Sequence, residues 1–562
     1  MKRFFYSRLI LTVLFLLAFT ACQEKDPVTE TLQQPEGYQE LIQAYNDGKV
    51  ISEISKRFGI NTLTFADGTV FEISDVDFEI HDCRSSAPLD VTIEGERWKV
   101  GTRLTDIKVH KDLTNEQAYP VYVYYNLKTL HMHLSNRQVL SFWSLVLEED
   151  KKKDEQLEAL EKFQNIPVVS ITTFNNAPIL DKKNYVDGTI TIKDSEKLFS
   201  VMTEFTADMG IRGRGNSTWG FPKKPWKVKL DKAAPILGMP SDKEWALLAN
   251  YTDRTLMRNM VAMKMSEICG FSWTPRMRHV EVYLNDVYQG VYTFCEHKKV
   301  SEDRINIDPA GENDNSGEAL TGDYYIEIEA AMDEPVAWRT GMGVPLMFSD
   351  PDEPTGAQIE YIKGLFEEFE AVLYSDHLAD PERGYAAYID VDSFIDYYIV
   401  QEIAKNIDGN LFKSAFVTKE KGKKFEMYHL WDFDLTFGNC GYFHSTVGNG
   451  PDNFWIRDVN SYSQPGHNWF NRMMQDPAFV DRLKKRWNEL KPEFDKIPDY
   501  IDEQAFILSK AAKHNFSEAW SIKESIDWVM MPSLGSYEAE VAYFKYFYTE
   551  RLNWLDIEIN KM

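Results

Sequence analysis

Cysteine is scarce: five in 562 residues, dispersed, with no Cys-x-x-Cys pair and no zinc-ligand spacing. Neither a disulfide-built scaffold nor a zinc ribbon accounts for such a chain, and its cysteines read as small buried apolar residues. Positive charge is short as well, with 62 Lys and Arg against 88 Asp and Glu, a net charge of −26. Non-specific nucleic-acid binding needs clustered cations to neutralise phosphates, so that class of partner is excluded. No internal repeat is present, which excludes collagen-like and solenoid architectures. Beyond the first 21 residues no apolar run is long enough to cross a bilayer as a helix. What is there is globular. At 43% hydrophobic and 27% charged, the chain buries sizeable cores and is not disordered. At roughly 100–200 residues per domain, its length suggests about three to five.

The N-terminus reads as an address. Met1–Arg8 is basic, and Leu9–Ala21 is apolar and uncharged, too short to span but suited to a signal peptide over 1–21. Phe19-Thr-Ala-Cys22 resembles the lipobox of bacterial lipoproteins, which makes Cys22 the lipidation site; the alternative is an ordinary secretory signal with a chance cysteine. Cleavage before Cys22 removes Lys2, Arg3 and Arg8 and takes the net charge to −29. Residues 22–36 follow as a polar tether. The expected location is the cell envelope, at the outer membrane on its periplasmic or surface side, with a lipid anchor as the only membrane contact.

Residues 37–147 read as a helix plus a β-rich module. Apolar spacing predicts a helix over 38–58, then strands near 62–65, 70–73, 89–93, 98–100, 104–109, 121–125 and 130–134, forming a small antiparallel module. The Thr-Phe-Ala-Asp-Gly-Thr turn looks like β-rich modules at the N-termini of Bacteroidetes surface lipoproteins. His131 and His133 share a strand face, which suits either two metal ligands or ordinary strand residues. A charge-dense linker over 148–165 ends the module, and mixed strands and helices run from 166, mostly helical after 453.

Two clusters carry chemistry. Arg212-Gly-Arg214-Gly-Asn216-Ser217-Thr-Trp219 couples arginines to glycines whose backbone N–H groups can approach an anion closely. The strand after it turns Trp226, Val228 and Leu230 one way and Lys227 and Lys229 the other, and Lys223 and Lys224 precede it. This is the one strongly basic island, and its plain alternative is a solvated strand face. Asp253 is placed at the N-cap of a helix over 254–269, with Arg258 in its second turn. The second cluster is acidic: Asp408-Gly-Asn410 after an apolar helix, a hairpin, then Asp432-Phe-Asp434. Hard oxygen ligands converging this way suit Mg2+, the alternative being Asx turns at strand ends.

Arg-Gly-Asn-Ser-Thr-Trp (214–219), Lys-Lys-Pro-Trp-Lys-Val-Lys-Leu (223–230) and Trp-Ala-Leu-Leu-Ala-Asn-Tyr-Thr-Asp-Arg-Thr-Leu-Met-Arg-Asn (245–259) resemble the CotH kinase family. So do Val-Tyr-Leu-Asn-Asp-Val-Tyr-Gln-Gly-Val-Tyr (282–292) and Trp-Asp-Phe-Asp-Leu-Thr-Phe-Gly (431–438). The resemblance implies an α+β, divergent protein-kinase-like two-lobed domain over 166–556, with an N-lobe over about 166–300 and a C-lobe over about 320–556, behind the small antiparallel β module. It implies ATP and Mg2+ as cofactors. Arg212, Arg214, Asn216, Ser217 and Arg258 would border the nucleotide's phosphates, and the strand ending at Glu296 would lead to the adenine. Lys224 or Lys227 would pair with phosphate, and Asp408 would orient or deprotonate the acceptor hydroxyl. Asp432, Asp434 and Asn410 would hold Mg2+. The pattern departs from common kinases: there is no Gly-x-Gly-x-x-Gly, His-Arg-Asp or Asp-Phe-Gly, and Asp408 and Asn410 stand two apart. Two functions follow: a phosphotransferase acting on exported protein hydroxyls, or a kinase-like surface lipoprotein that binds protein or glycan without catalysis.

Overall fold

The computed structural model divides the chain into two compact units, Met1–Ala159 and Leu160–Met562. It describes 164–199, 202–441, 449–460, 464–465, 468–524 and 529–562, and, within 40–147, 40–41, 43–44, 47, 49, 51–57, 60–65, 67–74, 91–100, 103–110, 118, 120–126, 129–134, 136 and 139–147. The signal peptide, Cys22, the tether, Cys83 and nearly all of the charged linker lie outside the described residues.

In the first unit β1 (Ile51–Arg57), β2 (Ile60–Phe65) and β3 (Val70–Ser74) are followed by β4 (Val91–Glu94), β5 (Arg97–Val100) and β6 (Arg103–Lys108). Then come β7 (Pro120–Asn126), β8 (Thr129–Leu134) and β9 (Val139–Leu147). They form a six-stranded sheet in the order β3-β2-β1-β9-β8-β7 and a three-stranded sheet β4-β5-β6. Two expectations are corrected. The helix over 38–58 gives way to strand from Ile51, because β1 finds β2 on one side and β9 on the other. The module is also not purely antiparallel, since β1 and β9 pair in parallel. Of the two strand histidines, His133 is buried against the Trp98 ring at 6.0 Å.

The second unit starts with β10 (Val168–Thr173), β11 (Val186–Lys193), β12 (Glu204–Gly213), β13 (Trp226–Ile236) and β14 (Met239–Leu248). Helix α1 (Arg258–Cys269) comes next, then β15 (Met277–Leu284) and β16 (Val287–Glu296). These seven strands close into a barrel, β10-β11-β12-β13-β14-β16-β15, sealed by parallel pairing of β10 with β15. Closure was not foreseen. Alternation works as expected: Trp226, Val228 and Leu230 join Val169, Ile211 and Phe294 in the barrel's own core. The β15–β16 hairpin turns on Asn285 and Asp286 alone, both at positive φ (49° and 63°), the geometry that matches strand twist.

The barrel's outer face supplies Ala246, Met277, Val291 and Cys295 to a second, larger core. That core is built on β17 (Tyr324–Ile328), β18 (Ala337–Arg339), β19 (Pro345–Asp350), β20 (Ala415–Lys419) and β21 (Phe425–His429), in the order β18-β19-β17-β20-β21. Helices α2 (Gly356–Leu373), α3 (Val391–Ala404), α4 (Trp469–Met473), α5 (Pro477–Phe494), α6 (Ile497–His514) and α7 (Tyr537–Lys561) cover it. Thr355 and Gln358 make a capping box at the start of α2. Asp390 caps α3 through Ser393 N–H. Helix α1 begins at Arg258, four residues later than expected. Asp253 still accepts from the Arg258 N–H (2.8 Å), but it does so from within the preceding turn. Cys269, Cys295 and Cys440 are buried, as expected of small apolar residues. Among the described residues no helix is long and apolar enough to cross a membrane.

Candidate functional site

Two acidic segments meet beside the barrel. The loop after α3 carries Asp408, half-buried, with Lys413 Nζ 4.0 Å from its Oδ1 and its N–H donating to Asn406 Oδ1 (3.2 Å). Asn410 is buried two residues on; Gly409 between them gives its carbonyl to the Tyr397 hydroxyl (3.0 Å). The loop after β21 carries Asp432, exposed and at φ 68°, and Asp434, half-buried. Burial and the neighbouring Asp432 charge raise the Asp434 carboxyl, with the charges of Asp253 and Asp408 adding to the effect. The Thr252 hydroxyl donates to Asp434 Oδ2 and opposes the rise.

This second loop is moored to the chain around α1. Phe433 N–H donates to Asn259 Oδ1 (2.7 Å), and Arg258 Nε to the Thr436 carbonyl (3.1 Å). One amide, Asn439 Nδ2, reaches both the Thr252 carbonyl (2.6 Å) and the Asp434 carbonyl (2.8 Å). Asn406 Nδ2 contacts the Asp432 carbonyl at 3.4 Å, which links the two acidic segments.

Of the basic island, Arg214 comes to this place. Its guanidinium lies over the Trp431 ring at 5.7 Å; burial lowers its pKa, and the charges of Cys295, Asp432 and Asp434 resist that shift. Lys227 is ion-paired with Glu244 at 2.7 Å, both largely shielded. It lies close enough to His297 that, after burial itself, Lys227 and then Arg214 depress that imidazole furthest. The other predicted groups are engaged by protein partners. Lys224 Nζ donates to the Trp219 carbonyl (2.7 Å) and sits over that ring. Arg212 reaches the Lys182 carbonyl and lies over Tyr185. Arg258 is fully buried, its Nη1 2.5 Å from Asp253 Oδ1. Glu296 is buried and accepts from the Arg276 N–H (2.9 Å) and Nη1 (2.8 Å). Asn216 and Ser217 are exposed at the tip of the loop between β12 and β13.

Several neighbours escaped sequence reasoning. Lys298 pairs with Glu327 and lies over the Phe416 ring at 4.7 Å. Glu329, two residues along, is pushed up to about 7 by burial, Glu327 adding to the rise while Lys413 and Lys298 oppose it. Thr252 belongs with them. The alternation of Glu327 and Glu329 with Ile326 and Ile328 was the available signal.

Among the described residues no three His, Cys, Asp or Glu side chains converge on a metal position. The acids therefore do not make an all-protein cage. A cation that keeps several waters takes only one or two carboxylates, together with substrate phosphates. Asp432 and Asp434 are the pair that could hold such an ion, with Arg214 near them.

The architecture is α+β: a closed barrel and a helical body, with an arginine from the barrel's β12–β13 connection set against an Asp-x-Asp loop of the body. The family model described as CotH kinase protein matches residues 211–555, and the chain belongs to that family. No curated protein matches it.

Proposed function

We propose that the chain is an ATP- and Mg2+-dependent phosphotransferase of the CotH kind, with the barrel as the N-lobe and the helical body as the C-lobe of a divergent kinase. One observation carries this reading. The Arg214 guanidinium lies over the ring of Trp431, 5.7 Å from its centroid and next in the chain to the Asp432-x-Asp434 loop, although more than 200 residues separate them in the sequence. A cation and a carboxylate pair brought together across two cores are the parts that phosphoryl transfer needs.

Lys227, held by Glu244, and Arg214 grip phosphate oxygens. Lys227 is preferred to Lys224, whose ammonium is directed at Trp219. Asp432 and Asp434, together with Asn410, would take the metal, and Mg2+ when bound would neutralise charge on the transferred group. Asp408 orients the acceptor hydroxyl and takes its proton, with the Lys413 ammonium 4.0 Å from its carboxylate. The acceptor is a hydroxyl on an exported protein, since the signal segment and Cys22 direct the chain to the envelope.

Thermal unfolding of the full chain with Mg2+ and ATP tests the reading. Saturation near 100 Kd stabilises by about 2.7 kcal/mol, which is a rise of a few degrees in Tm. Asp432→Asn should abolish the rise and leave the unliganded Tm unchanged, because Asn tolerates the left-handed backbone at 432. No shift with any nucleoside triphosphate and divalent metal would overturn the kinase reading and favour a kinase-like fold that only binds protein or glycan.

A further inference from the structure

Three consecutive side chains in the turn before α1 run in three directions. Asp253 accepts from the Thr255 N–H (2.9 Å) and hydroxyl (2.6 Å) and from Arg258, which closes the turn on itself. Arg254 donates outward to the carbonyls of Ile522 (3.0 Å), Glu524 (2.8 Å) and Met531 (2.8 Å). Thr252, only 1% exposed, sends its hydroxyl to Asp434 Oδ2. The turn is held from a further side by Asn250, whose Nδ2 donates to Thr293 Oγ1 on β16 (2.9 Å). Residue 252 therefore sits on a backbone fixed on several sides, and its hydroxyl reaches the carboxylate from a set position.

Mooring alone does not require that hydroxyl. The loop 432–439 is already tied by Asn259, by Arg258 and by the Asn439 amide that clamps the carbonyls of Thr252 and Asp434 together. What the Thr252 bond adds falls on the carboxylate itself. The terminal torsion of an aspartate is broad and two-fold, so a tethered backbone leaves the two oxygens free to swing. A donor on Oδ2 removes that freedom and leaves Oδ1 as the oxygen presented for a ligand. Groups that orient a metal-binding side chain in this way govern metal affinity even though they never touch the ion.

We propose that Thr252 is a positioning residue for Asp434, fixing its carboxylate for a divalent cation; the inference rests on the phosphotransferase reading above. The test titrates Mn2+ alone into the purified full chain, follows free ion by electron paramagnetic resonance, and records Tm without metal. Thr252→Val keeps the shape and removes the hydroxyl. It should raise the Mn2+ midpoint about tenfold or more, with the metal-free Tm within about 2 °C of wild type. Thr252→Ser restores the donor and should stay within about twofold of wild type. In turnover assays the KM for Mg2+ should rise in the valine variant while kcat at saturating metal is kept. A valine variant that binds Mn2+ like wild type overturns the proposal, as does serine losing as much as valine. Should valine fail to fold, serine alone decides: a tenfold loss there overturns the proposal. A wild-type chain that binds no Mn2+ defeats the phosphotransferase reading itself, a result distinct from wild-type binding that Thr252→Val leaves intact.

Discussion

At the scale of single residues, burial decides more than residue type does. His279 lies on β15, and nothing in its sequence neighbourhood sets it apart. In the fold it is 3% exposed, with Nε2 3.2 Å from Gln504 Oε1 on α6 and with Arg278 and Asp253 as its charged neighbours. Burial pushes its pKa down to about 4, against a hydrogen bond to Gln504 that raises it. The unfolded chain binds this proton from about pH 6.5 downward and the folded chain does not, so stability is full above 6.5 and is lost as pH falls towards 4. Urea unfolding at pH 7.5 and 4.5 should show a loss that His279→Leu reduces, with a difference on the order of 2–3 kcal/mol. Equal acid sensitivity in both proteins would count against this assignment. Asp408, Asp432 and Asp434 were legible because acids in strand-adjacent loops stand out. Thr252 was not, since a threonine in a turn has many reasons to be there.

At the scale of elements, α7 is tied to α3 by a buried charge pair. Arg551 Nη2 lies 2.7 Å from Glu402 Oε2 and its Nε donates to the Glu402 carbonyl (2.8 Å), while Nη1 reaches the carbonyls of Pro451 (3.0 Å) and Asn453 (2.6 Å). Glu402 also accepts from the N–H groups of Trp455 (3.0 Å) and Arg457 (3.0 Å). Arg551→Met removes the cation and leaves a buried carboxylate, which should destabilise by about 3–5 kcal/mol, read as a lower urea midpoint. A loss below about 1 kcal/mol would mean the pair is expendable. Elements with a strong local pattern were legible: α3 with its apolar run, and β13 with its alternation. The segment 51–57 was not, because Ile51 and Ile54 stand three apart, a spacing that also fits a helix face. Its strand state depends on β9, where Ile51 pairs with Ser144 and Ile54 with Leu147, some ninety residues away.

At the scale of the whole molecule, the unit Leu160–Met562 carries both of its large cores, one inside the barrel and one around α1–α7. Residues 160–562 expressed alone should therefore fold, with a Tm within about 5 °C of the full chain and the same response to Mg2+ and ATP. A fragment that stays unfolded by circular dichroism would show that the first unit is needed for folding. The sequence by itself determined the family, the acidic balance, the basic segment at 212–232 and the alternation of its strand, because these are written in composition and in spacings of a few residues. Tertiary structure alone decided that the barrel closes, that Arg214 comes over Trp431 beside the Asp-x-Asp loop, and that Arg258 holds the same loop by the Thr436 carbonyl while Arg212 turns to Lys182. It also decided that Lys227 pairs with Glu244 while Lys224 turns to the Trp219 carbonyl. The physical reason is one of range: closure needs β10 beside β15, and a charge acquires its partner only after two separately built cores have packed together.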